Sequence, residues 1–547
     1  MLKTITILFF LLIISETSFG KSGIYIRVNQ VGFLTRDLKT AVILSDSKLD
    51  GGKFQIFARN GGKAVFEGNL GANLGQYAEV KNSYCIDFSG LTKEGKYFIL
   101  IKDTKSPKFT IGRKIYSPIL KSLMEFFKIQ RCGYTNPEMH KVCHISDVTQ
   151  IIDRGKENNE KVDVTGGWHD AGDYVKFFNT TAYTTYILLF AYDYDPIKFG
   201  FDNDKSGAPD ILEEAKIGLD WMLRSYRGNG EFITQVQDLR DHDVGWRMPE
   251  DDELSFDRPG FVGKGKNLIG LYAATMALGA KIWKSKFKLD EFANKCLSSA
   301  EEAFALRNNV PDVDSSGSGM YLDKSFNGKL ALGAAELYNV TRKPVYLKSA
   351  LSYAEKAGSD YWWSWGDINA LADYRLAQIS PKYLNYLESN LKVFNENKEK
   401  NLFGEAAEHN WGSNNTLLGI GLQAILWKKI THKNDYDSLI TIQRDFVLGR
   451  NPWGISFIFQ TGTNYSKNLH HQIAYFNNGK LPGGFAAGPV KKSIYDGTNI
   501  KFEKSDKYSK FQTEVSFYRD DRNDYISNEP TISANATAIF LFGYFIN

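Results

Sequence analysis

The apolar residues of this chain change their period near residue 115, and that change limits the folds open to it. Up to residue 112 they alternate with period two: Ile24, Ile26 and Val28 in one run, Tyr84, Ile86 and Phe88 in another, then Tyr97 to Ile101 and Phe109 to Ile111. Alternation of this kind puts one face of a strand in a core and the other outside it. Turn signals at Asp50-Gly51-Gly52, Asn60-Gly61-Gly62 and Glu94-Gly95 separate the runs. A small β-sandwich over residues 21–114 is the economical reading.

From Tyr116 the period is that of a helix. Between Pro209 and Tyr226, Leu212, Ala215, Leu219 and Met222 share one face. Pro209 suits a first turn, Asp210, Glu213 and Glu214 complement the positive end of the helix dipole, and Gly228-Asn229-Gly230 ends the segment. Further helical segments begin near Ser117, Thr181, Asn267, Asp290, Leu330, Pro344, Asp367, Lys382, Asn414, Asn434 and Pro530. Their paired spacing over residues 115–547 suggests six helical hairpins closed into a ring, although periodicity alone also allows an open helical stack. At 547 residues the chain exceeds what one core holds, in keeping with two folded units.

Residues 1–20 read as an export signal: Lys3, an apolar run from Ile5 to Ile14, then the small Ser18 and Gly20. That run is shorter than the roughly 20 apolar residues that span a bilayer, so a secreted or periplasmic protein without a membrane span is expected. A formal charge of +4 on 547 residues offers no concentrated basic face, which argues against a nucleic-acid partner. A monomer is expected. Four cysteines, Cys85, Cys132, Cys143 and Cys296, are too few and too scattered for a disulfide-built scaffold.

Three interhelical stretches are long, 130–180, 228–265 and 450–529, and chemistry on helical scaffolds usually sits in such places. The first holds Gly166-Gly167-Trp168-His169-Asp170-Ala171-Gly172-Asp173-Tyr174. Two carboxylates separated only by Ala171 and Gly172 can approach a common point such as an attacking water. A calcium loop or plain turn chemistry accounts for the residue types equally well. The last holds Tyr518-Arg519-Asp520-Asp521-Arg522-Asn523-Asp524-Tyr525 and then Asn528-Glu529-Pro530. A solvated acidic run is one reading, but Glu529 directly precedes Pro530 and a strongly apolar final segment, so it projects from a rigid helix start. Cys132, Cys143, His144 and His169 are ligand types that zinc prefers. A disulfide between Cys132 and Cys143 fits an exported protein as well.

The pattern Tyr518-x-Asp520-x4-Tyr525-x3-Glu529-x-Thr531-x3-Asn535-Ala536 resembles the C-terminal active-site signature of glycoside hydrolase family 9, and the stretch Gly167 to Tyr174 resembles its N-terminal one. The resemblance continues through Asp241-His242 with Trp246 and Pro249-Glu250, Ala334 to Tyr338, Trp411-Gly412-Ser413-Asn414 and Leu448 to Pro452. Val28-Asn29-Gln30-Val31-Gly32 is similar to the immunoglobulin-like domain that precedes the catalytic ring in many members.

What the family implies is a mainly α protein: an (α/α)6 barrel with an open cleft, preceded by an immunoglobulin-like β-sandwich, hydrolysing β-1,4 bonds of a β-glucan with inversion. By position Asp173 would be the general base, Asp170 would help hold the water, Glu529 would be the general acid and Asp520 would support them. Inversion needs the two carboxyl groups about 6.5 to 9.5 Å apart. Glu529 must also keep its proton, which an apolar surround or the charge of Asp520 or Asp521 could secure. His470 and His471 match a motif that hydrogen-bonds a sugar hydroxyl, and Trp246, Trp411, Trp168 and Tyr525 lie in matched loops and are expected to bind sugar. Trp362, Trp363 and Trp365 are equally consistent with packing.

The resemblance also favours zinc over a disulfide at Cys132, Cys143, His144 and His169, in a closed, structural site. Calcium is a second candidate ion, with Asp202 to Asp210 and Asp312 to Asp323 as its homes, although Asn327-Gly328-Lys329 stands where acids are common in relatives. Two further departures are Phe459, where a smaller residue is usual, and Gln472, where members typically have Arg. Losing a guanidinium alters one sugar subsite. It keeps a xyloglucanase, a cellodextrinase and an exo-β-glucosaminidase open beside an endoglucanase. A carbohydrate-binding protein without catalysis is disfavoured because all three acids are present.

Overall fold

The computed structural model describes residues 23–153, 155–252, 258–316 and 321–546, so the export signal read at 1–20 lies outside the described residues. The N-terminal unit is a sandwich of two sheets. One has the order β1-β3-β6 (Ile24–Arg27, Thr40–Ser45, Asn82–Asp87). The other runs β2-β9-β7-β4-β5 (Gly32–Phe33, Phe109–Ile111, Gly95–Ile101, Lys53–Ala58, Phe66–Asn69), with β8 (Thr104–Lys105) on β7. Its core is built from alternate residues such as Ile24, Ile26, Ile56, Tyr84, Ile86 and Ile99.

Strand β3 departs from alternation because both its faces are covered. Ala41 and Ile43 enter the sandwich core, while Val42 and Leu44 pack into the core of the helical unit. The junction is also polar. Asn29 Nδ2 donates to Asp445 (2.7 Å), the Gln30 amide donates to Leu448 O (2.9 Å), and Arg444 pairs with Asp37 (2.8 Å). Gly449, at φ +118°, lies so close to this seam that a Cβ there would meet Gln30 Nε2 at 2.6 Å. The sandwich is thus fastened to the helices by apolar and polar contacts alike.

Among the described residues the second unit has twelve α-helices of nine residues or more. They are α1 (Ser117–Gln130), α2 (Phe178–Tyr194), α3 (Asp210–Ser225), α4 (Lys266–Ile282), α5 (Asp290–Ala305), α6 (Asn327–Thr341), α7 (Pro344–Ala357), α8 (Asn369–Ala377), α9 (Lys382–Lys400), α10 (Ser413–Thr431), α11 (Asp437–Val447) and α12 (Ile532–Tyr544). Each even-numbered helix from α2 to α10 packs on the odd-numbered one that follows it, and α12 packs on α1. The even-numbered helices also touch in sequence, from α2 through α4, α6, α8 and α10 to α12, which returns to α2.

Composition explains which helices are inside. Every residue of α4 from Asn267 to Ala280 is buried, and so is every residue of α12 from Ile532 to Gly543. A helix that is apolar or small all round can only be stable when surrounded. By contrast α9 buries Tyr383, Leu387, Asn390, Leu391 and Phe394 along one stripe and leaves Lys382, Lys392, Glu396, Glu399 and Lys400 to solvent. No helix among the described residues is long and apolar enough to cross a membrane.

Two stretches expected as loops carry a mixed sheet: β10 (Val148–Asp153), β11 (Lys156–Asp163), β12 (Lys176–Phe177), β13 (Tyr226–Gly228), β14 (Glu231–Val236) and β15 (Gly260–Gly263). Strand β11 reads Lys-Glu-Asn-Asn-Glu-Lys-Val-Asp, with no apolar alternation to betray it. The sheet positions the site, because β12 pairs with β14 (Lys176 opposite Val236) only three residues after Asp173.

Candidate active site

Three segments converge at one end of the helical unit: the loop after α1, the loop at 470–472 and the residue pair before α12. Thr531 caps α12, its side chain accepting from the Ala534 amide, which leaves Glu529 projecting just ahead of the helix. The Gly172 amide donates to Glu529 Oε1 (3.0 Å) and Gly172 O accepts from the Gln472 amide (2.9 Å). Only glycine fits between them, since a Cβ at Gly172 would lie 2.3 Å from His470 O. The cleft so formed encloses about 580 Å³.

Asp170 is buried and accepts from Thr180 Oγ1. Burial, followed by the charge of Asp173, pushes its carboxyl up to about 7 despite that hydrogen bond. Asp173 Oδ1 accepts from the Val175 amide (3.0 Å), and its Oδ2 faces His242 Nε2 at 2.7 Å. That hydrogen bond raises the imidazole to about 9. Glu529 is held well above the ordinary carboxylate range by desolvation and then by the negative charge of Asp173, with the Gly172 amide and His242 opposing.

The sequence allows an apolar surround or the charge of Asp520 or Asp521 to keep Glu529 protonated; burial is the larger cause, and the charges beside it are corrected to Asp173 and Asp170. Asp520 is turned from the cleft, accepting from the Lys467 and Asn468 amides (2.9 Å each) and pairing with Lys507 (2.8 Å). It fastens the loop that leads to His470. Asp521 does the same for the Glu503 and Lys504 amides.

Of the expected sugar-binding residues, Trp246, Trp411, Tyr525 and His470 line the cleft. Trp411 is 52% exposed, with its ring 6.0 Å from that of Tyr525. Trp246 lies 5.0 Å from the His470 ring and is stacked on Tyr475 at 5.1 Å. Flat rings beside polar groups suit the apolar face and the hydroxyl edge of a sugar respectively.

His471 and Trp168 are corrected to positioning residues. His471 is in extended backbone immediately after His470, so its ring points the opposite way, into the core. It donates to Gln130 Oε1 (2.7 Å), and Gln130 Nε2 in turn holds Ala171 O (2.6 Å) and His169 O (3.1 Å) behind the acidic loop. Trp168 is buried and donates to Glu214 (3.3 Å). Trp363 is wholly buried and Trp362 and Trp365 pack against the core, which is the packing alternative. Tyr321 and Asp241 also line the cleft, and nothing in their sequence setting marks Tyr321 as an active-site residue.

Behind the acidic loop, Cys132, Cys143, His144 and His169 are all buried, with ligand atoms within 4.8 Å of one another. The cysteines are not disulfide-bonded. Cys132 Sγ is 3.8 Å from His144 Nδ1, Cys143 Sγ is 3.9 Å from His169 Nε2, and the two nitrogens are 3.1 Å apart. Tetrahedral zinc with ordinary bond lengths puts sulfur about 3.6 Å from nitrogen and nitrogens about 3.3 Å apart, so the donor set fits a metal of this kind. His144 Nε2 donates to Asp252 (2.9 Å), the outer contact that leaves Nδ1 free to ligate.

In a second group, the exposed Asp202 and Asp204 are gathered with Asp210, the buried first residue of α3. In the other acid-rich stretch Asp323 is neutralised by Lys329, whose Nζ lies 2.6 Å from it and 2.7 Å from Gly366 O.

Residues 116–542 match the model of glycosyl hydrolase family 9, and residues 21–106 match that of the cellulase N-terminal ig-like domain. The chain is 27% identical to a cellodextrinase from Butyrivibrio fibrisolvens, over 94% of this chain and 98% of that one. A metagenome-derived glycoside hydrolase family 9 endoglucanase has a similar structure, with a TM-score of 0.82 and 27% identity over 96% of this chain and 99% of that one. A Zn-binding triple mutant of a family 9 endoglucanase shares the fold, with a TM-score of 0.82 and 24% identity over 94% of this chain and 99% of that one.

Proposed function

The chain belongs to glycosyl hydrolase family 9, and we propose that it cleaves β-1,4-glucosidic bonds of a glucan with inversion, using Glu529 as acid and Asp173 as base. One observation carries the assignment. A carboxyl group that burial and negative neighbours keep protonated and a carboxylate paired with His242 line the same aromatic cleft. Asp173 takes a proton from the water as its oxygen bonds to the anomeric carbon, Asp170 helps hold that water, and Glu529 gives its proton to the departing glycosidic oxygen. The cellodextrinase and endoglucanase relatives support a glucan substrate.

The closed circuit of inner helices supports an (α/α)6 barrel. In this reading residues 115–547 form the barrel, residues 21–114 brace it, and the protein is an exported monomer whose signal is residues 1–20. The test is incubation with an undecorated β-1,4-gluco-oligosaccharide. Shorter oligosaccharides are expected, their lengths telling endo from exo cleavage, and an intact substrate would overturn the reading.

Cys132, Cys143, His144 and His169 would hold zinc in a closed, structural site. With no open coordination position, zinc would supply rigidity to the loop in which His169 directly precedes Asp170. Cys143→Ser is therefore expected to lose bound zinc by elemental analysis, to melt at a lower temperature and to lose roughly 10- to 100-fold in activity, as disturbed metal surroundings do. Unchanged zinc content in that variant would rule the site out.

A further inference from the structure

Gln472 lines the cleft although it is only 7% exposed. Its backbone amide is committed to Gly172 O (2.9 Å), the residue whose own amide holds Glu529. Its side-chain oxygen accepts from the Arg247 amide (3.1 Å) and from Arg247 Nη1 (3.4 Å). Both groups can only donate, so the carboxamide oxygen must face them and its NH2 must face away. Among the described residues Nε2 has no hydrogen-bond partner, and it is open to the cleft rather than enclosed.

Arg247 is itself fixed. Its guanidinium donates to Asp241 (2.5 Å) and to Asp252, and lies 5.2 Å from the Tyr174 ring centre. Its charge is spent on two carboxylates rather than presented to the cleft.

We propose that Gln472 is a specificity-determining residue of the glucan site: its Nε2 donates a neutral hydrogen bond to one sugar hydroxyl, and Arg247 is the positioning residue that sets which way the amide faces. The assignment rests on the glucan reading. A nearly buried donor left without a partner is penalised, so a sugar lacking that hydroxyl is rejected.

The test compares the unaltered protein with Gln472→Glu, which keeps the shape and the acceptor toward Arg247 but replaces the NH2 by an oxygen. Gln472→Met, which has neither donor nor added charge, serves as the second variant. Binding of cellotriose and of its monodeoxy analogues is measured by calorimetry, with kcat, KM and melting temperature alongside. In Gln472→Met KM is expected to rise roughly tenfold while kcat falls far less, the usual scale for one hydrogen bond. The monodeoxy analogue that the unaltered protein binds poorly should bind Gln472→Met as well as cellotriose does, whereas the Gln472→Glu carboxylate still accepts from that hydroxyl and keeps a preference for it.

Unchanged KM with unchanged discrimination would overturn the assignment. Equal weakening toward every analogue would do so too, since that is what a merely structural residue produces. If the unaltered protein binds no cello-oligosaccharide, the glucan reading falls and this assignment with it. Binding by the unaltered protein together with an unaffected Gln472→Met variant defeats the Gln472 assignment alone.

Discussion

Glu529→Gln is expected to lower kcat on a cello-oligosaccharide by about 10³-fold, within the range that a positioned general acid supplies. The carboxamide fills the same space and still offers an oxygen to the Gly172 amide, which holds Glu529 Oε1 at 3.0 Å. Structure should therefore survive while the transferable proton is lost. A substrate with a dinitrophenyl leaving group, which departs without protonation, should recover most of the rate.

Stability should move the other way. Burial raises the folded-state pKa of Glu529 well above its ordinary value, so the native state holds a proton that the unfolded chain, with a pKa of about 4.3, has released. This group's contribution is intact below the unfolded value and declines as pH rises toward the folded one. Glu529→Gln removes that penalty and should melt slightly higher at neutral pH, a gain in stability at the expense of activity. In the unaltered enzyme kcat should fall on the alkaline side as Glu529 loses its proton. Full activity of the glutamine variant would remove Glu529 from the mechanism.

Asp173→Asn is expected to cost a similar factor, about 10³ in kcat, because the water loses its proton acceptor. Here a better leaving group should not help, which separates base from acid. Two titrations should shift with it. His242 owes its value of about 9 first to the hydrogen bond with Asp173, so its ring protons should titrate nearer the ordinary histidine range. Glu529 loses the largest of its neighbouring negative charges, so the alkaline limb should move to lower pH. Rescue of Asp173→Asn by the dinitrophenyl substrate would contradict the assignment.

Much of the helical framework was legible, because a helix announces itself through repeated residues. The predicted starts fall within three residues of those observed, even for α2, where Thr181 was expected to begin a helix that starts at Phe178. The sheet at 148–263 was not legible, since the strand Lys156–Asp163 is almost wholly polar in sequence and carries no apolar alternation.

In the site, residue types identified the loops but not the direction of each side chain. His470 and His471 are neighbours of the same type, yet backbone parity and the distant partner Gln130 send one to the cleft and the other to the core. Trp168 and Trp246 differ for the same reason, since Glu214 claims the indole N–H of the first. Asp520 belongs to the same acidic run as the residues that lead to Glu529, and only the backbone amides of Lys467 and Asn468 show that it fastens a loop. Arg247, which orients Gln472, stands 225 positions away from it in sequence and could be found only in three dimensions.

The central claim is the pairing of Glu529 and Asp173 across the scissile bond with a water between them. Proton NMR, recorded from the first seconds of hydrolysis of an undecorated β-1,4-gluco-oligosaccharide, tests it most directly. The account predicts that the α-anomer of the new reducing end appears first and the β-anomer grows in only by mutarotation. Early β product would mean that the anomeric carbon is displaced twice, and would contradict the assignment of Asp173 as the base on water.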